Sequence, residues 1–263
     1  MTSTTTREIV RFHGDQRETV QDTIASEMPV TIKINGEEFV TLICSPTYIE
    51  DMAIGFLASE GVISGYSDVK TLRVDEGEGF VHIYLHKEIS RLHQDMQTKR
   101  YITSCCGMSR QSLIFAADAK TAKTMHSRNV QITSGQCYAL MEALQKRADV
   151  FKHTGGVHNA AIATTDDIAL MRLDIGRHNA LDKLYGHCLR TNISLENKLL
   201  IFSGRLSSEI VLKAAKIGCE MILSKSAPTE RALEIAEELE ITAIGFIRKQ
   251  SMNVYTIPER VVN

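Results

Sequence analysis

The stretch from Leu199 to Ile247 reads LLIFSGRLSSEIVLKAAKIGCEMILSKSAPTERALEIAEELEITAIGFI. Short apolar runs typical of buried strands alternate in it with segments of helical spacing. In order these are Leu199–Phe202, Ser208–Ile217, Met221–Leu223, Thr229–Leu239 and Ile241–Ile247. Gly218 ends the first helical segment, as expected of a residue that follows a helix. The order βαβαβ predicts parallel strands joined by crossover helices.

Basic residues follow each of these three strands. The loops are Ser203–Arg205, Ser224–Pro228 and Arg248–Ser251. In open α/β sheets ligands bind beyond the carboxyl ends of the strands, and the first two loops lead into helix N-termini, which favour anions. The edge is therefore a candidate site for a phosphate-bearing ligand. The alternative, that these are solvated basic loops, stays open, because neither a P-loop nor a G-x-G-x-x-G motif is present.

The preceding residues predict a smaller α+β unit followed by the rest of the sheet. Alternating strands, an Asn35-Gly36 hairpin turn and a helix with a Thr47-x-x-Glu50 capping box give the order ββαββ. A helix at about 134–147, a hairpin at 157–173 and a helix at about 180–189 precede Leu199. We expect an α+β domain at residues 1–100, a mobile loop carrying Cys105 and Cys106 at 101–130, and an α/β domain at 131–263.

Composition indicates an ordinary globular protein. Of 263 residues, 43% are hydrophobic and 24% charged, which is enough apolar material for a sizeable core. A net charge of -2 gives no whole-protein basic field for nucleic acid. No apolar run reaches the 18 residues of a membrane helix, and the polar N-terminus lacks the apolar core of a secretory signal. We therefore expect a cytoplasmic protein that binds neither membrane nor nucleic acid.

The six cysteines divide into two kinds. Four lie in apolar surroundings and are expected to be buried thiols: Cys44, Cys137, Cys188 and Cys219. Cys105 and Cys106 lie instead in a small, polar stretch between Arg100 and Arg110, whose charges could lower a thiol pKa. Three roles are consistent with this cysteine pair: a nucleophile or sulfur carrier, a vicinal redox pair, or two ordinary thiols. No C-x-x-C pair occurs, so no zinc site is expected.

A polar cluster lies between the hairpin and the next helix, in Asp174-Ile-Gly-Arg-His-Asn179. Its side chains could line a ligand cleft together with Gly155-Gly156 and His158-Asn159. The alternative is a loop held by its own Asp174–Arg177 pair and an Asn179 helix cap.

Several segments together resemble the FdhD family, accessory sulfurtransferases of formate dehydrogenase. The resemblance covers residue 10 to the end, and its most specific block is Asp174-x-Gly-Arg-His-Asn-Ala-x-Asp-Lys183. Other matching blocks are Asn35–Glu37, Gly55–Leu57, Glu60-Gly61, Ser104–Gly107, Thr154–Gly156 with His158, Ser203–Arg205, Ser226–Thr229, Gly245-Phe246 and Asn253–Tyr255.

The resemblance implies a carrier that takes persulfide sulfur from a cysteine desulfurase and passes it to the bis-molybdopterin guanine dinucleotide cofactor of formate dehydrogenase. It also implies a cytidine-deaminase-like, three-layer αβα fold for the C-terminal domain. A homodimer is common among such proteins and is a further expectation. The cofactor contact that the resemblance implies maps onto Phe246, Ile247, Arg248, Lys249, Gln250 and Ser251. To these we add Arg205 and Lys225 of the basic strand-end loops, and Arg177 and His178 of the polar cluster, as expected cofactor-binding residues. Deaminase chemistry does not follow, because the His/Cys zinc signature is absent.

One departure concerns the cysteine loop. Many family members carry Cys-x-x-Cys there, whereas this chain has Cys106 and Ser109 at those positions. We assign the persulfide to Cys106, with Cys105 as a possible helper. Two alternatives remain: a cofactor-binding chaperone that does not need Cys106, and a small-nucleotide enzyme using His158 or His178 as a base. No permanent metal is expected.

Overall fold

The computed structural model describes residues 2–75, 77–87, 101–102, 122 and 124–263. Its strands are β1 Thr4–His13, β2 Gln16–Ala25, β3 Met28–Ile34, β4 Glu37–Cys44, β5 Val69–Asp75, β6 Phe80–Leu85, β7 Tyr101–Ile102, β8 Ile132–Thr133, β9 His158–Ala163, β10 Ile168–Asp174, β11 Leu199–Phe202, β12 Met221–Ser224, β13 Thr242–Arg248, β14 Ser251–Val254 and β15 Val261–Val262. Its α-helices are α1 Ile49–Ser59, α2 Ser134–Lys146, α3 Asp149–Thr154, α4 Arg177–Thr191, α5 Ser208–Ile217 and α6 Glu230–Glu238.

The largest sheet has the strand order β10-β9-β11-β12-β13-β14. Strands β11, β12 and β13 are parallel neighbours joined by α5 and α6, which confirms the predicted βαβαβ unit. The hairpin β9–β10 pairs antiparallel, and β9 continues the sheet beside β11. Because β9 runs opposite to β11, the start of β9 lies at the same edge as the carboxyl ends of β11, β12 and β13.

Helices cover both faces of this sheet. On one face alternate strand residues such as Ile162, Leu200 and Ile222 pack with α4, α5 and α6. On the other face Ile201 and Leu223 pack with α2. Both sets are buried, so the strands are apolar throughout, as expected of a sheet covered on both sides. The predicted three-layer αβα arrangement is confirmed.

The N-terminal unit has a second sheet with the order β5-β6-β3-β4-β7, and α1 packs on it. The predicted ββαββ order is confirmed. Short β7 pairs parallel with β4, so Ile102 lies beside Leu42. The chain thus enters the segment that carries Cys105 and Cys106 from the edge of this sheet. Residues 103–121 lie outside the described residues, so the predicted loop is described only at its two ends.

The two units meet where α1 crosses α4. A Cβ atom built on Gly55 would lie 1.8 Å from the Asp182 carbonyl oxygen, and one on Gly186 would lie 1.8 Å from the Asp51 carbonyl oxygen. Such contacts are far shorter than real Cβ contacts, so the helix backbones touch through these two glycines. Asp51 is buried in this interface and accepts hydrogen bonds from Arg172 and Arg190.

Two local features differ from expectation. Strands β1 and β2, of ten residues each, form a hairpin that no pattern predicted. The hairpin is exposed for most of its length, so its sequence lacks the apolar alternation that marks a half-buried strand. The predicted capping box of Thr47 and Glu50 does not form, so that prediction is wrong. Tyr48, with φ of 55°, precedes α1 without a side-chain cap, and Glu50 pairs with Arg190 instead.

Within the described residues, no helix has the length and apolar character needed to cross a membrane.

Candidate functional site

A cavity of about 530 Å³ opens at the edge of the large sheet, where the carboxyl ends of β11, β12 and β13 meet the start of β9. Its volume is in the range of small-molecule sites. Strand-end residues and two helices line it: His158, Asn159, Ser203, Lys225, Ser226 and Arg248, with Met141, Leu144 and Gln145 of α2, and Ala148, Phe151 and Lys152 at α3.

The two ends of the cavity differ in the charge of their strand-end residues. We call the end at Asn159 the neutral end and the end at Lys225 and Arg248 the cationic end; Lys152 of α3, which also lines the cavity, is paired with Asp149 at 2.9 Å. Asn159 lies on β9 and Arg248 at the end of β13, three strands away in the sheet order. Adjacent strands are about 4.8 Å apart, so these positions are separated by roughly 14 Å. Lys225, after β12, lies on the same side as Arg248. The arrangement suits an elongated ligand with a neutral polar group at one end and an anion at the other.

His158 is held at the neutral end by aromatic and backbone contacts. Its ring stacks on Phe202, with centroids 6.4 Å apart. A Cβ atom on Gly204 would lie 2.9 Å from the Phe202 ring and 3.3 Å from His158 Nδ1, so glycine is required beside the pair. Burial lowers the pKa of His158, and the nearby charge of Arg177 lowers that pKa further. The imidazole is therefore neutral at pH 7 and adds no positive charge to this end.

We expect a titration of His158 by NMR to give a pKa below the ordinary value of about 6.5. Arg177→Gln should raise this pKa, because it removes a positive charge that disfavours the imidazolium. Circular dichroism spectra that coincide for the two proteins serve as the control for folding. An unchanged pKa of His158 in Arg177→Gln would contradict the placement of Arg177.

The cationic end is held by hydrogen bonds between loops. Ser224 Oγ donates to the Gly204 carbonyl oxygen at 2.8 Å and accepts from Ser226 N at 3.0 Å. Lys225 Nζ donates to Gln145 Oε1 at 3.0 Å, which fixes the ammonium group against α2. These bonds orient the loops after β11 and β12 together, so the cation is positioned before a ligand binds.

The last residues of β13 have an irregular backbone and irregular pairing. Phe246 has φ of 53° and is 37% exposed, in a region where the pairing of β13 with β14 shifts register. Left-handed backbone is unusual for an aromatic residue and concentrates at functional sites. The Arg248 guanidinium lies 5.7 Å from the Phe246 ring. This geometry places an exposed aromatic ring next to Arg248, which lines the cavity.

The structure brings together only part of the predicted residue set. Arg248 and Lys225 line the cavity, together with His158, Asn159, Ser203 and Ser226 from the neighbouring predicted segments. Ile247 is 1% exposed and packs in the core, so its side chain does not face a ligand. Four further residues of the predicted cofactor-binding set are exposed and lie outside the cavity lining: Arg205, Lys249, Gln250 and Ser251.

The polar cluster that follows β10 is largely structural. Asp174 and Lys183 are both fully buried, with Lys183 Nζ 2.6 Å from Asp174 Oδ2. Asp174 also accepts from Gly176 N and from Ser45 N, so it joins the two units. The alternative of an Asp174–Arg177 pair is therefore wrong, as is the Asn179 helix cap: Gly176 holds the N-cap position.

The two remaining side chains of this cluster differ in their contacts. Arg177 is half-buried, acts electrostatically on His158, and its Nε has no hydrogen-bond partner among the described residues. His178 Nε2 lies 3.1 Å from Glu209 Oε2 of α5. Arg177 thus belongs to the surroundings of the cavity, whereas His178 contacts a neighbouring helix.

The four cysteines predicted to be buried thiols are buried and free, which confirms that prediction. Burial raises the pKa of Cys44 and of Cys137 to about 12 and that of Cys188 to about 11. Burial also raises the pKa of Cys219. A thiolate is the reactive form of cysteine, so none of these four is suited to carry sulfur at neutral pH. Cys105 and Cys106 lie outside the described residues.

Over the part of the chain that the structure describes, no group of three or more His, Cys, Asp or Glu side chains is placed to hold a metal ion.

The apolar wall of the cavity was missed by the sequence reasoning. Met141, Leu144 and Phe151 contribute it. Met141 and Leu144 follow the same helical spacing as any core-facing residues, and both are almost fully buried. A pattern of that kind signals burial but does not show that one side of the buried residues faces a cavity.

The chain is similar to known proteins over most of its length. A sequence model described as the FdhD/NarQ family matches residues 25–262. The chain belongs to the FdhD/NarQ family. It is 62% identical over 257 residues to the sulfur carrier protein FdhD of Shouchella clausii, which covers 98% of this chain and 96% of that protein. It is 52% identical over 259 residues to the sulfur carrier protein FdhD of Bacillus subtilis, covering 98% and 97%.

A solved structure has the same fold as this FdhD/NarQ chain. It is assigned as a formate dehydrogenase accessory protein of Desulfotalea psychrophila, with a TM-score of 0.80 and 21% identity. The match covers 99% of this chain and all of that protein. At this identity the likeness concerns the fold, which the FdhD/NarQ chain therefore shares over its whole length.

Proposed function

We propose that this chain accepts sulfur from a cysteine desulfurase as a persulfide on Cys106. It then passes the sulfur to bis-molybdopterin guanine dinucleotide, the cofactor of formate dehydrogenase. The observation that carries this proposal is the cavity at the sheet edge, whose neutral end and cationic end match a nucleotide. The full-length relationship to proteins named sulfur carrier protein FdhD supports the same function.

The loading step is a balanced transfer of sulfane sulfur. The Cys106 thiolate attacks the outer sulfur of the desulfurase persulfide, a new S–S bond forms, and the desulfurase cysteine leaves as a thiolate. No electrons are gained or lost overall. Delivery as sulfide consumes two electrons, which we assign to a thiol reductant that becomes a disulfide. Burial of the four described cysteines supports assigning the persulfide outside them.

The client is held through its nucleotide part. The cavity of about 530 Å³ accommodates a mononucleotide rather than a whole dinucleotide cofactor, so the remainder lies outside it. Lys225 and Arg248 would contact the phosphates, and the apolar side chains of α2 and α3 would pack against the base. The chain itself binds and orients the cofactor, whereas the molybdenum centre supplies the acceptor for sulfur.

Incubation with a cysteine desulfurase and cysteine, followed by intact mass measurement, tests the carrier role. We expect the wild-type protein to gain one sulfur atom, Cys105→Ala to gain the same mass, and Cys106→Ala to gain none. Cys137→Ser, at a buried thiol, is the matched control and should load normally if it folds. Wild-type protein that gains no sulfur beside an active desulfurase would leave a cofactor-binding chaperone as the function.

A further inference from the structure

The neutral end of the cavity contains a buried polar atom without a partner. Asn159 is 2% exposed and lines the cavity, yet its Oδ1 has no hydrogen-bond partner among the described residues. Buried side-chain oxygens in folded proteins nearly always accept a hydrogen bond, and leaving one unsatisfied is destabilising. A donor supplied by a ligand in the cavity would satisfy this oxygen.

The position of Asn159 is fixed by its own backbone. Asn159 N donates to Ser203 Oγ at 2.9 Å, and Ser203 N donates to the Asn159 carbonyl oxygen at 3.0 Å. This reciprocal pair ties the start of β9 to the end of β11. The preceding residue, His158, is held against Phe202. The side-chain amide therefore projects from a rigid strand end, as a residue that discriminates between ligands requires.

The location of Asn159 decides which part of a nucleotide it meets. Lys225 and Arg248 lie two and three strands away along the edge, where they attract phosphate groups. With the phosphates there, the base extends toward Asn159 along the apolar wall of the cavity, to which Met141, Leu144 and Phe151 contribute. An aromatic base fits such a wall, and its edge groups are then the donors available to Asn159.

We propose that Asn159 selects the base of the bound nucleotide, with its Oδ1 accepting hydrogen bonds from the adjacent N1–H and N2–H groups of guanine. Guanine carries both donors on this edge, hypoxanthine carries only N1–H, and adenine has an acceptor and a C–H there. This inference rests on the proposed function, which supplies a guanine nucleotide as the ligand. To that function the inference adds which residue recognises the base.

Calorimetric titration of the unaltered protein with guanosine, inosine and adenosine diphosphates tests the inference without any substitution. We expect affinity to fall in that order, by about tenfold from guanosine to adenosine diphosphate, because a buried acceptor is left unsatisfied. Equal affinity for all three would overturn the role of Asn159 and leave the nucleotide site intact. No binding of any nucleotide would overturn the proposed nucleotide site as well.

Matched variants separate the two ends of the cavity. Asn159→Ala should bring the affinities for guanosine and adenosine diphosphates close together. Arg248→Ala should weaken both by a similar factor and keep their ratio. Asn129→Ala, at an exposed asparagine away from the cavity, should change neither. A folded Asn159→Ala protein that retains the full preference for guanosine diphosphate would overturn the proposal.

Discussion

Replacing Gly186 with alanine is expected to lower the free energy of unfolding by about 3 kcal/mol or more, since overpacking against backbone is among the most costly substitutions. The added Cβ would lie 1.8 Å from the Asp51 carbonyl oxygen and 2.7 Å from Gly55 N. All of these neighbours are backbone atoms, so a side-chain rotation cannot relieve the contact. Helices α1 and α4 would have to separate.

Separation of these helices would also disturb the charges between the two units. Asp51 is buried beside Gly55 on α1 and is paired with Arg172 at 3.1 Å. Removing one partner from a buried pair is destabilising because the other charge stays desolvated. The effect of Gly186→Ala should therefore extend to the whole interface between the units rather than to one helix turn.

The matched control is Gly135→Ala, in the first turn of α2. The nearest atom to its added Cβ would be Thr133 Oγ1 at 3.9 Å, which is an ordinary contact. Alanine is the better helix former, so this variant should be unchanged or more stable by up to about 1 kcal/mol. Urea unfolding followed by circular dichroism measures both. A Gly186→Ala protein as stable as Gly135→Ala would refute the close helix contact.

Lys183→Met is the second substitution with a large expected effect, a loss of about 3–5 kcal/mol, which is typical of breaking a buried ion pair. Both Lys183 and Asp174 are completely buried, and Lys183 Nζ also donates to the Ser45 carbonyl oxygen at 3.0 Å. Methionine is similar in length but leaves the Asp174 carboxylate and the Ser45 oxygen without their cation.

A double-substitution cycle isolates the contribution of the ion pair. Adding Asp174→Asn to Lys183→Met removes the uncompensated charge, so the double variant should be more stable than the sum of the two single losses predicts. Lys70→Met, at an exposed lysine, should stay within about 0.5 kcal/mol of wild type. Strict additivity of the two single losses would show that the pair contributes nothing to the junction.

Local periodicity was enough to predict the C-terminal sheet. Helix α5 ends at Ile217 and β11 covers Leu199–Phe202, both as the apolar spacing and Gly218 indicated. Each of these signals lies within about ten residues, so no distant partner is needed to interpret it. The βαβαβ order predicted that the strands are parallel, as they are. Parallel strands place their carboxyl ends at one edge of the sheet, which predicted the position of the basic loops.

Features that depend on distant contacts were not predictable in this way. Glu50 fits a capping box in sequence but pairs with Arg190, 140 residues away. Asp174 pairs with Lys183 and also binds Ser45 N, a partner 129 residues away in the N-terminal unit. These pairings depend on the packing of α1 against α4, which the sequence pattern of either helix alone does not show.

The proposed carrier function combines a sulfur site and a cofactor site on one chain, and the two should fail separately. Cys106→Ala should prevent sulfur loading while nucleotide binding is retained. Arg248→Ala should load sulfur normally but weaken the hold on the cofactor phosphates by about tenfold, in line with the loss of one charge-assisted contact.

The most direct measurement follows radiolabelled sulfur from cysteine, through a desulfurase and this protein, to the cofactor of formate dehydrogenase. We expect label to reach the cofactor with the wild-type protein, to reach it more slowly from a normally loaded carrier with Arg248→Ala, and to be absent from both carrier and cofactor with Cys106→Ala. Transfer of label at the wild-type rate with Cys106→Ala would contradict the proposed function.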